Sequence, residues 1–461
     1  MLTRGGVIVK KTNISSEKCK WLKEELTVSP INECSNAFSN VNVDSFPVFR
    51  ESESRFRLPR HFAYKHFNEI QNQIPNGVPI NVTFKGELKT STKQDIAVEK
   101  ALLHLQISGG GILSLPTGFG KTCVALYILS QLSVKTLIIV HKEFLMNQWI
   151  ERIQQFLPNA QIGRIQQNKI DIAGKDIVIG MLQSIAMKSY DPGTFETFGF
   201  TIIDETHHIS SKVFSKALFN VCTKYMIGLS ATPIRKDGLT KVLEWFIGDI
   251  FFSIERSNQS QVDVKIVPFT CKQYTKDPPL NKLGKINLSE IINIVSQIDE
   301  RNKLIMKLIQ DFRKQNRKII ILSDRRKHCQ DLLCLCTDVS SSAGLYMGGM
   351  KQDELKQNES CDIIFATYSL AHEGLDIPSL DTLILSTPKT DIVQSCGRIL
   401  RETTGKINTP LIVDICDTFG SLPNQARKRK LYYKKSGFNI LDQKNKCTKN
   451  TSLSTYSFID E

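Results

Sequence analysis

Gly111-Ile112-Leu113-Ser114-Leu115-Pro116-Thr117-Gly118-Phe119-Gly120-Lys121-Thr122, followed by the apolar run Val124–Leu129, decides how the rest of the chain is read. A short apolar run, a glycine-bearing turn closed by Gly-Lys-Thr and an apolar helical run form the strand, phosphate loop and helix that cradle a nucleoside triphosphate. Gly118 and Gly120 let backbone N–H groups approach phosphate without a Cβ in the way, and the helix N-terminus favours negative charge. Lys121 is expected to reach the β- and γ-phosphates and Thr122 to ligate Mg²⁺, with Pro116, Thr117 and Phe119 completing the loop. Leu115 stands where the G-x-x-x-x-G-K-T form has its first glycine.

Working outward, similar apolar runs recur at Thr136–Val140, Asp176–Ile179, Thr201–Ile203 and Tyr225–Leu229, separated by helix-length stretches. Runs of that length are buried parallel strands, so residues 83–250 predict one doubly wound α/β lobe. A second series, Lys318–Leu322, Asp362–Phe365, Thr382–Leu385 and Leu411–Val413, predicts another over 301–423. Residues 251–300, broken by Asp277-Pro278-Pro279, read as an inter-lobe region, 1–82 as a small accessory domain and 424–461 as a basic extension.

The chain has 461 residues, 41% of them hydrophobic, enough for two cores. Sixty Lys and Arg against 46 Asp and Glu give a net charge of +14, which suits a polyanion partner. No run of about 18 apolar residues occurs, so a soluble, intracellular protein without a membrane partner is expected. His328, Cys329, Cys334 and Cys336 lack a second ligand pair at finger spacing and read as helix residues.

Asp204 ends the strand run Thr201–Ile203, which puts its carboxylate at the carboxyl edge of the sheet, where open α/β folds bind ligands. It is a candidate Mg²⁺ ligand, and Glu205 beside it a candidate base for the attacking water. Gln394, Arg398 and Arg401 stand at i, i+4 and i+7, one face of a helix, where guanidinium groups suit γ-phosphate oxygens. An arginine finger of that kind contributes about 10³ to 10⁵ in rate. Because these residues come from the second lobe, turnover would require the lobes to close.

Taken together, these segments resemble the superfamily 2 helicases over about residues 85 to 440. The similarity points to the branch with XPB-type helicases, phage UvsW and the poxvirus transcript-release helicases with their relatives in large DNA viruses. It extends through His141–Trp149, Gly180–Ile185, Ser230-Ala231-Thr232-Pro233, Ala366-Thr367 and Glu373-Gly374-Leu375-Asp376. Arg235-Lys236-Asp237 resembles the Arg-Glu-Asp element of XPB-type enzymes, and Asp299-Glu300-Arg301-Asn302 also matches the branch. The resemblance implies two RecA-like lobes, ATP with Mg²⁺, and 3′-to-5′ movement on DNA, with RNA as the other track. Ser230, Ala231, Thr232 and Asp376 would couple hydrolysis to movement, and Gln148, Gln183, Thr367 and Glu373 would line the nucleic-acid track. Gln94 aligns with the adenine-sensing glutamine, although Ser91 and Lys93 replace its usual Arg and Tyr neighbours. The implied setting is viral transcription beside an RNA polymerase, in host cytoplasm, viral factory or virion. A repair helicase or a duplex translocase uses the same motifs. Arg427–Phe438, basic with Tyr432, Tyr433 and Phe438 interleaved, fits either base stacking on nucleic acid or a helix packed on the second lobe.

Overall fold

The computed structural model describes all residues except 32–44, 192, 207–210, 232–234, 236, 255–260, 337–341, 374, 376, 401–407 and 442–461. For Ser211, Thr275, His372 and Glu373 only the backbone is described. The chain forms two compact units, Met1–Arg256 and Ser257–Glu461.

The first unit opens with β1 (Leu2–Thr3), β2 (Gly6–Lys10), β3 (Thr27–Val28), β4 (Phe46–Pro47), β5 (Arg50–Glu51) and β6 (Arg55–Leu58). Four of these make a sheet in the order β1-β2-β6-β5, while β3 and β4 pair separately. Val7, Val9, Phe56 and Leu58 alternate inward from that sheet, as a one-sided sheet requires. The core they enter is not private, because Phe62 lies edge-on to Trp245 at 5.4 Å and Leu2, Leu22 and Phe56 share one cluster with Phe198, Phe219 and Phe246. The separate accessory domain expected over 1–82 is therefore corrected to a segment that covers one face of the following lobe.

That lobe holds β7 (Gly110–Ser114), β8 (Thr136–Val140), β9 (Ile162–Gln166), β10 (Lys169–Ile170), β11 (Ile177–Met181), β12 (Phe200–Ile203), β13 (Tyr225–Ser230) and β14 (Ile250–Ser253). Their order is β10-β9-β11-β8-β12-β13-β7-β14, parallel except at β9/β10. Leu137 and Ile139 enter the core on one face, Ile138 and Val140 the core on the other. Burial on both faces is why the strand reads as an unbroken apolar run.

The second unit contains β15 (Asp263–Phe269), β16 (Ile319–Ser323), β17 (Ala343–Tyr346), β18 (Ile363–Thr367), β19 (Thr382–Leu385), β20 (Leu411–Asp417) and β21 (Asn439–Leu441). They form a parallel sheet in the order β17-β18-β16-β19-β20-β15-β21. Two boundaries move as a result. The expected inter-lobe region 251–300 gives β14 to the first sheet and β15 to the second, where Val264 and Val267 are buried. The expected extension 424–461 contributes β21 and most of the helix Leu422–Lys435 to the second lobe.

That helix is fastened by a buried pair. Arg429 Nη2 lies 2.8 Å from Asp414 Oδ1, and the Tyr433 hydroxyl donates to Asp414 Oδ2 at 2.9 Å. Tyr433 and Arg429 are thus packing residues, which resolves the two readings of this stretch for those positions. Arg301 of the Asp299–Asn302 element makes a similar buried pair with Asp417, at 2.8 Å from Nε to Oδ1. His328 is engaged by Ser323 at 3.1 Å and Asn302 at 2.9 Å. Among the described residues no helix is long and apolar enough to cross a membrane.

Candidate active site

The phosphate loop hangs between two strands. Leu115, just past β7, donates its N–H to the Ser230 carbonyl at the end of β13, 2.9 Å away. Its side chain is fully buried in the core, and it is not among the residues with positive φ, so glycine is not needed there. Gly118 (φ 85°) and Gly120 (φ 91°) do take left-handed backbone, which favours glycine at both. The 12-residue helix Lys121–Leu132 starts immediately after Gly120, so its unsatisfied first-turn N–H groups face the loop.

Gln94, at the start of the helix Gln94–Ser108, braces this loop from behind. Its Nε2 donates to the Phe119 carbonyl at 2.5 Å, and its Oε1 accepts from Lys89 N–H at 2.9 Å. A Cβ on Gly120 would come within 2.7 Å of Gln94 Nε2. The loop is therefore shaped against Gln94.

Across from the loop, β12 delivers Asp204 and Glu205. Lys121 Nζ lies 2.9 Å from Glu205 Oε1, with both side chains largely shielded from solvent. Asp204 is buried, accepts the Trp149 indole N–H on Oδ2 at 2.9 Å and takes the Glu205 N–H on Oδ1 at 3.0 Å. Burial, then the neighbouring Glu205 charge, pushes the Asp204 carboxyl above the usual range, opposed by Lys121 and the two N–H groups. Glu205 has φ 46°, a left-handed conformation that costs about 1–3 kcal/mol in a residue with a side chain. Strain of this kind collects at functional sites.

Lys121, Asp204, Glu205, Gln94 and the Ser230 carbonyl thus converge within the first unit. Trp149 joins them and was missed as a site residue. Its only signal is chemical, since a buried indole N–H must find an acceptor, and sequence does not reveal which. Thr122 is half-buried in the first turn, and Ala231 half-buried after Ser230.

The candidate track residues are divided between the two units. Gln148 is half-buried next to Trp149, and Gln183 Nε2 donates to the His141 carbonyl at 3.3 Å, joining the two segments. In the second unit Thr367 ends β18 and lines a cavity of about 430 Å³ with Ser323, Asp324, Arg326, Tyr368 and Lys389. Arg235 pairs with Asp237 at its Nε, 2.9 Å away. Gln394 and Arg398 lie on the helix Val393–Ile399, both largely buried, with Arg398 Nη1 donating to the Leu375 carbonyl at 2.8 Å. Leu400 (φ −96°, ψ 9°) caps this helix. Arg401, Thr232 and Asp376 lie outside the described residues, as does the Glu373 side chain.

Residues 87–235 match the family described as type III restriction enzyme, res subunit, and residues 300–403 match the helicase conserved C-terminal domain. Protein L396 of Acanthamoeba polyphaga mimivirus, inferred by its name to be an ATP-dependent RNA helicase, is 33% identical over 449 residues, covering 95% of this chain and 86% of its own. The chain belongs to the superfamily 2 helicases. This helicase is also similar to protein 161L of Invertebrate iridescent virus 6, inferred by name to be a helicase, at 29% identity over 83% of this chain and 90% of the relative. African swine fever virus QP509L, again inferred by name to be an ATP-dependent RNA helicase, is 26% identical over 71% and 69%. The crystal structure of T4 UvsW aligns over 93% of this chain and 95% of that one at 18% identity. With a TM-score of 0.37, that alignment adds nothing to the assignment.

The residues present suit ATP, the nucleotide of this family. Left-handed glycines, a helix N-terminus, Lys121 and a strand-end carboxylate form a cradle suited to a triphosphate, and Gln94 closes its back against Gly120.

Proposed function

We propose that this helicase hydrolyses ATP with Asp204 and Thr122 holding Mg²⁺ and Glu205 taking the proton of the attacking water, and that it uses the energy to move 3′-to-5′ along DNA. The observation that carries the hydrolytic part is the Lys121–Glu205 contact at 2.9 Å beside a buried Asp204 held by Trp149. Anchor, base and metal-binding carboxylate are thereby within reach of one bound triphosphate. Mg²⁺ would screen the phosphate charges there. Gln94 keeps the loop in shape, Lys121 binds phosphate, and Glu205 orients water once Lys121 engages the nucleotide. Arg398 and Arg401 add transition-state charge from the second lobe, so hydrolysis depends on that lobe's position.

The biological setting we favour is transcription in a large DNA virus, with RNA polymerase as partner. Support comes from relatives encoded by such viruses and from the Arg235–Asp237 element. Movement on template would pull the transcription bubble and disrupt the RNA–DNA hybrid. A second reading, with RNA as the track, is favoured by the names of the mimivirus and African swine fever virus proteins.

The test compares ATPase stimulation by single-stranded DNA, duplex DNA and RNA, using Lys121→Ala as the blank and Glu205→Gln as a variant that binds ATP without turnover. Stalled elongation complexes with labelled transcript then report release. DNA stimulation with ATP-dependent RNA release supports the proposal. Stimulation by RNA alone transfers it to the second reading, and efficient fork separation without release points to repair. Wild-type turnover by Glu205→Gln refutes the assigned base.

A further inference from the structure

Arg60, the first residue of the helix Arg60–His66, is buried at 5% exposure without a carboxylate. Among the described residues it makes no ion pair, and Asp249, whose charge reaches neighbouring His61, is held by Lys65 at 2.7 Å. Three backbone carbonyls converge on one of its nitrogens: Nη1 donates to Thr223 at 3.0 Å, Lys224 at 3.1 Å and Gly109 at 3.5 Å. Nε is buried with no hydrogen-bond partner. The carbonyls satisfy one corner of the guanidinium and leave its positive charge without an anion. A buried charge in that state is costly, and charged side chains are seldom buried unless paired.

The surroundings are shaped to the guanidinium. Gly109 has φ 72°, and a Cβ there would collide with Arg60 Nη2. The Tyr64 ring stands 5.6 Å from Arg60 Cζ, and His61 packs edge-on to Tyr64 at 5.7 Å. Burial, then the Arg60 charge, lowers His61 to about 3, so it stays neutral.

Arg60, Tyr64, Ile107, Lys224 and Tyr225 line a cavity of about 310 Å³, within the range of small-molecule pockets. Lys224 adds a second cation, its Nζ bonded to the amide oxygen of Asn76 at 3.0 Å and to no acid among the described residues. Opposite the charge stand an aromatic ring and an apolar side chain that meet solvent, Tyr64 at 39% and Ile107 at 78% exposure. The cavity lies where Gly110 opens β7 and Tyr225 opens β13, whereas the phosphate loop follows the far end of β7, roughly 16 Å along the strand.

We infer that this cavity is a second small-molecule site, separate from the phosphate loop, for a phosphate-bearing ligand the size of a nucleoside monophosphate. Its phosphate pairs with Arg60 and Lys224, and its flat apolar part lies against Tyr64 and Ile107. Guanidinium groups match phosphate oxygens in geometry as well as charge.

Adenosine monophosphate, adenosine and inorganic phosphate are the probes, titrated calorimetrically into the full chain and into the full chain carrying Lys121→Ala. Adenosine monophosphate should bind both chains with a Kd below about 1 mM, and adenosine and phosphate alone should each bind about tenfold more weakly or worse. Arg60→Lys keeps the charge but loses the planar fork, and should weaken the monophosphate about tenfold or more. Ile107 is exposed, so its variants test the site even if Arg60→Lys does not fold. Ile107→Glu places a carboxylate at the rim and should weaken the monophosphate about fivefold, while Ile107→Lys should leave it as tight or tighter. No binding to the wild-type chain overturns the site. Binding lost in Lys121→Ala also overturns it, because the monophosphate then sits in the phosphate loop. Adenosine as tight as its monophosphate, or equal affinity in Ile107→Glu and Ile107→Lys, overturns the phosphate contact on which the site is argued.

Discussion

Trp149→Phe isolates the hydrogen bond that holds Asp204. The ring stays in the core, while the indole N–H that reaches Asp204 Oδ2 at 2.9 Å is deleted. A hydrogen bond to a charged group contributes about 1.5–3 kcal/mol, or roughly 10- to 150-fold at 1.4 kcal/mol per tenfold. Because Oδ1 still accepts the Glu205 N–H at 3.0 Å, the carboxylate keeps one anchor and the lower end is expected. The assay is ATP turnover at saturating nucleic acid and fixed ATP, with Mg²⁺ titrated. Half-saturating Mg²⁺ should rise about tenfold, with most of the maximal rate recovered at high Mg²⁺. Phenylalanine also leaves a void in a nearly closed site, so a packing control is needed. Ile153→Val on the same helix, fully buried and expected to cost about 0.5–1.5 kcal/mol, should leave the Mg²⁺ curve where it was. If Trp149→Phe lowers the maximal rate without moving that curve, the indole serves only the core and its positioning role is wrong.

Two further outcomes concern stability. The Asp204 carboxyl is raised to about 6 in the folded chain, so the unfolded chain ionises first and folding loses stability as pH climbs from about 4 to about 6. Without nucleotide or Mg²⁺, Asp204→Asn should melt above wild type at pH 7.5, with the gap closing toward pH 4; a pH-independent gap or a lower melting temperature would contradict this. Asp414→Asn strands Arg429 in a buried site and should cost about 3–5 kcal/mol in urea unfolding, whereas a loss under about 1 kcal/mol would mean that the helix Leu422–Lys435 is not integral to the lobe.

Legibility in the sequence followed burial. Thr136–Val140 and Thr382–Leu385 could be read to the residue, because strands covered on both faces are apolar throughout. Ile162–Gln166 was missed because it is only half-buried and carries Arg164 and Gln166. Asp263–Phe269 was missed because Asp263, Lys265 and Pro268 interrupt its apolar residues, though it pairs with strands on both sides. The phosphate loop and Asp204-Glu205 could be read because their chemistry demands fixed residue types at fixed spacing. Trp149 and Arg429 could not, since each matters through a partner more than ten residues away in sequence, Asp204 in one case and Asp414 in the other.

The Lys121–Glu205 contact changes how substitutions at either residue should be read. With both side chains mostly shielded from water, the lysine does more than wait for phosphate: it holds the carboxylate proposed as the base. A triphosphate that draws Lys121 to its own oxygens removes that partner from Glu205, so binding and activation of the base become one event. Lys121→Ala therefore deletes a phosphate anchor and at the same time removes the Lys121 contact from Glu205, next to an Asp204 that the Glu205 charge already disfavours as an anion. Loss of turnover in Lys121→Ala cannot be assigned to phosphate binding alone. Glu205→Gln keeps the lysine, relieves the repulsion on Asp204 and removes the proton acceptor together with the charge that pairs with Lys121. The pair separates the two roles when ATP affinity is measured beside turnover: affinity lost in Lys121→Ala, affinity kept or increased in Glu205→Gln, and turnover gone in both.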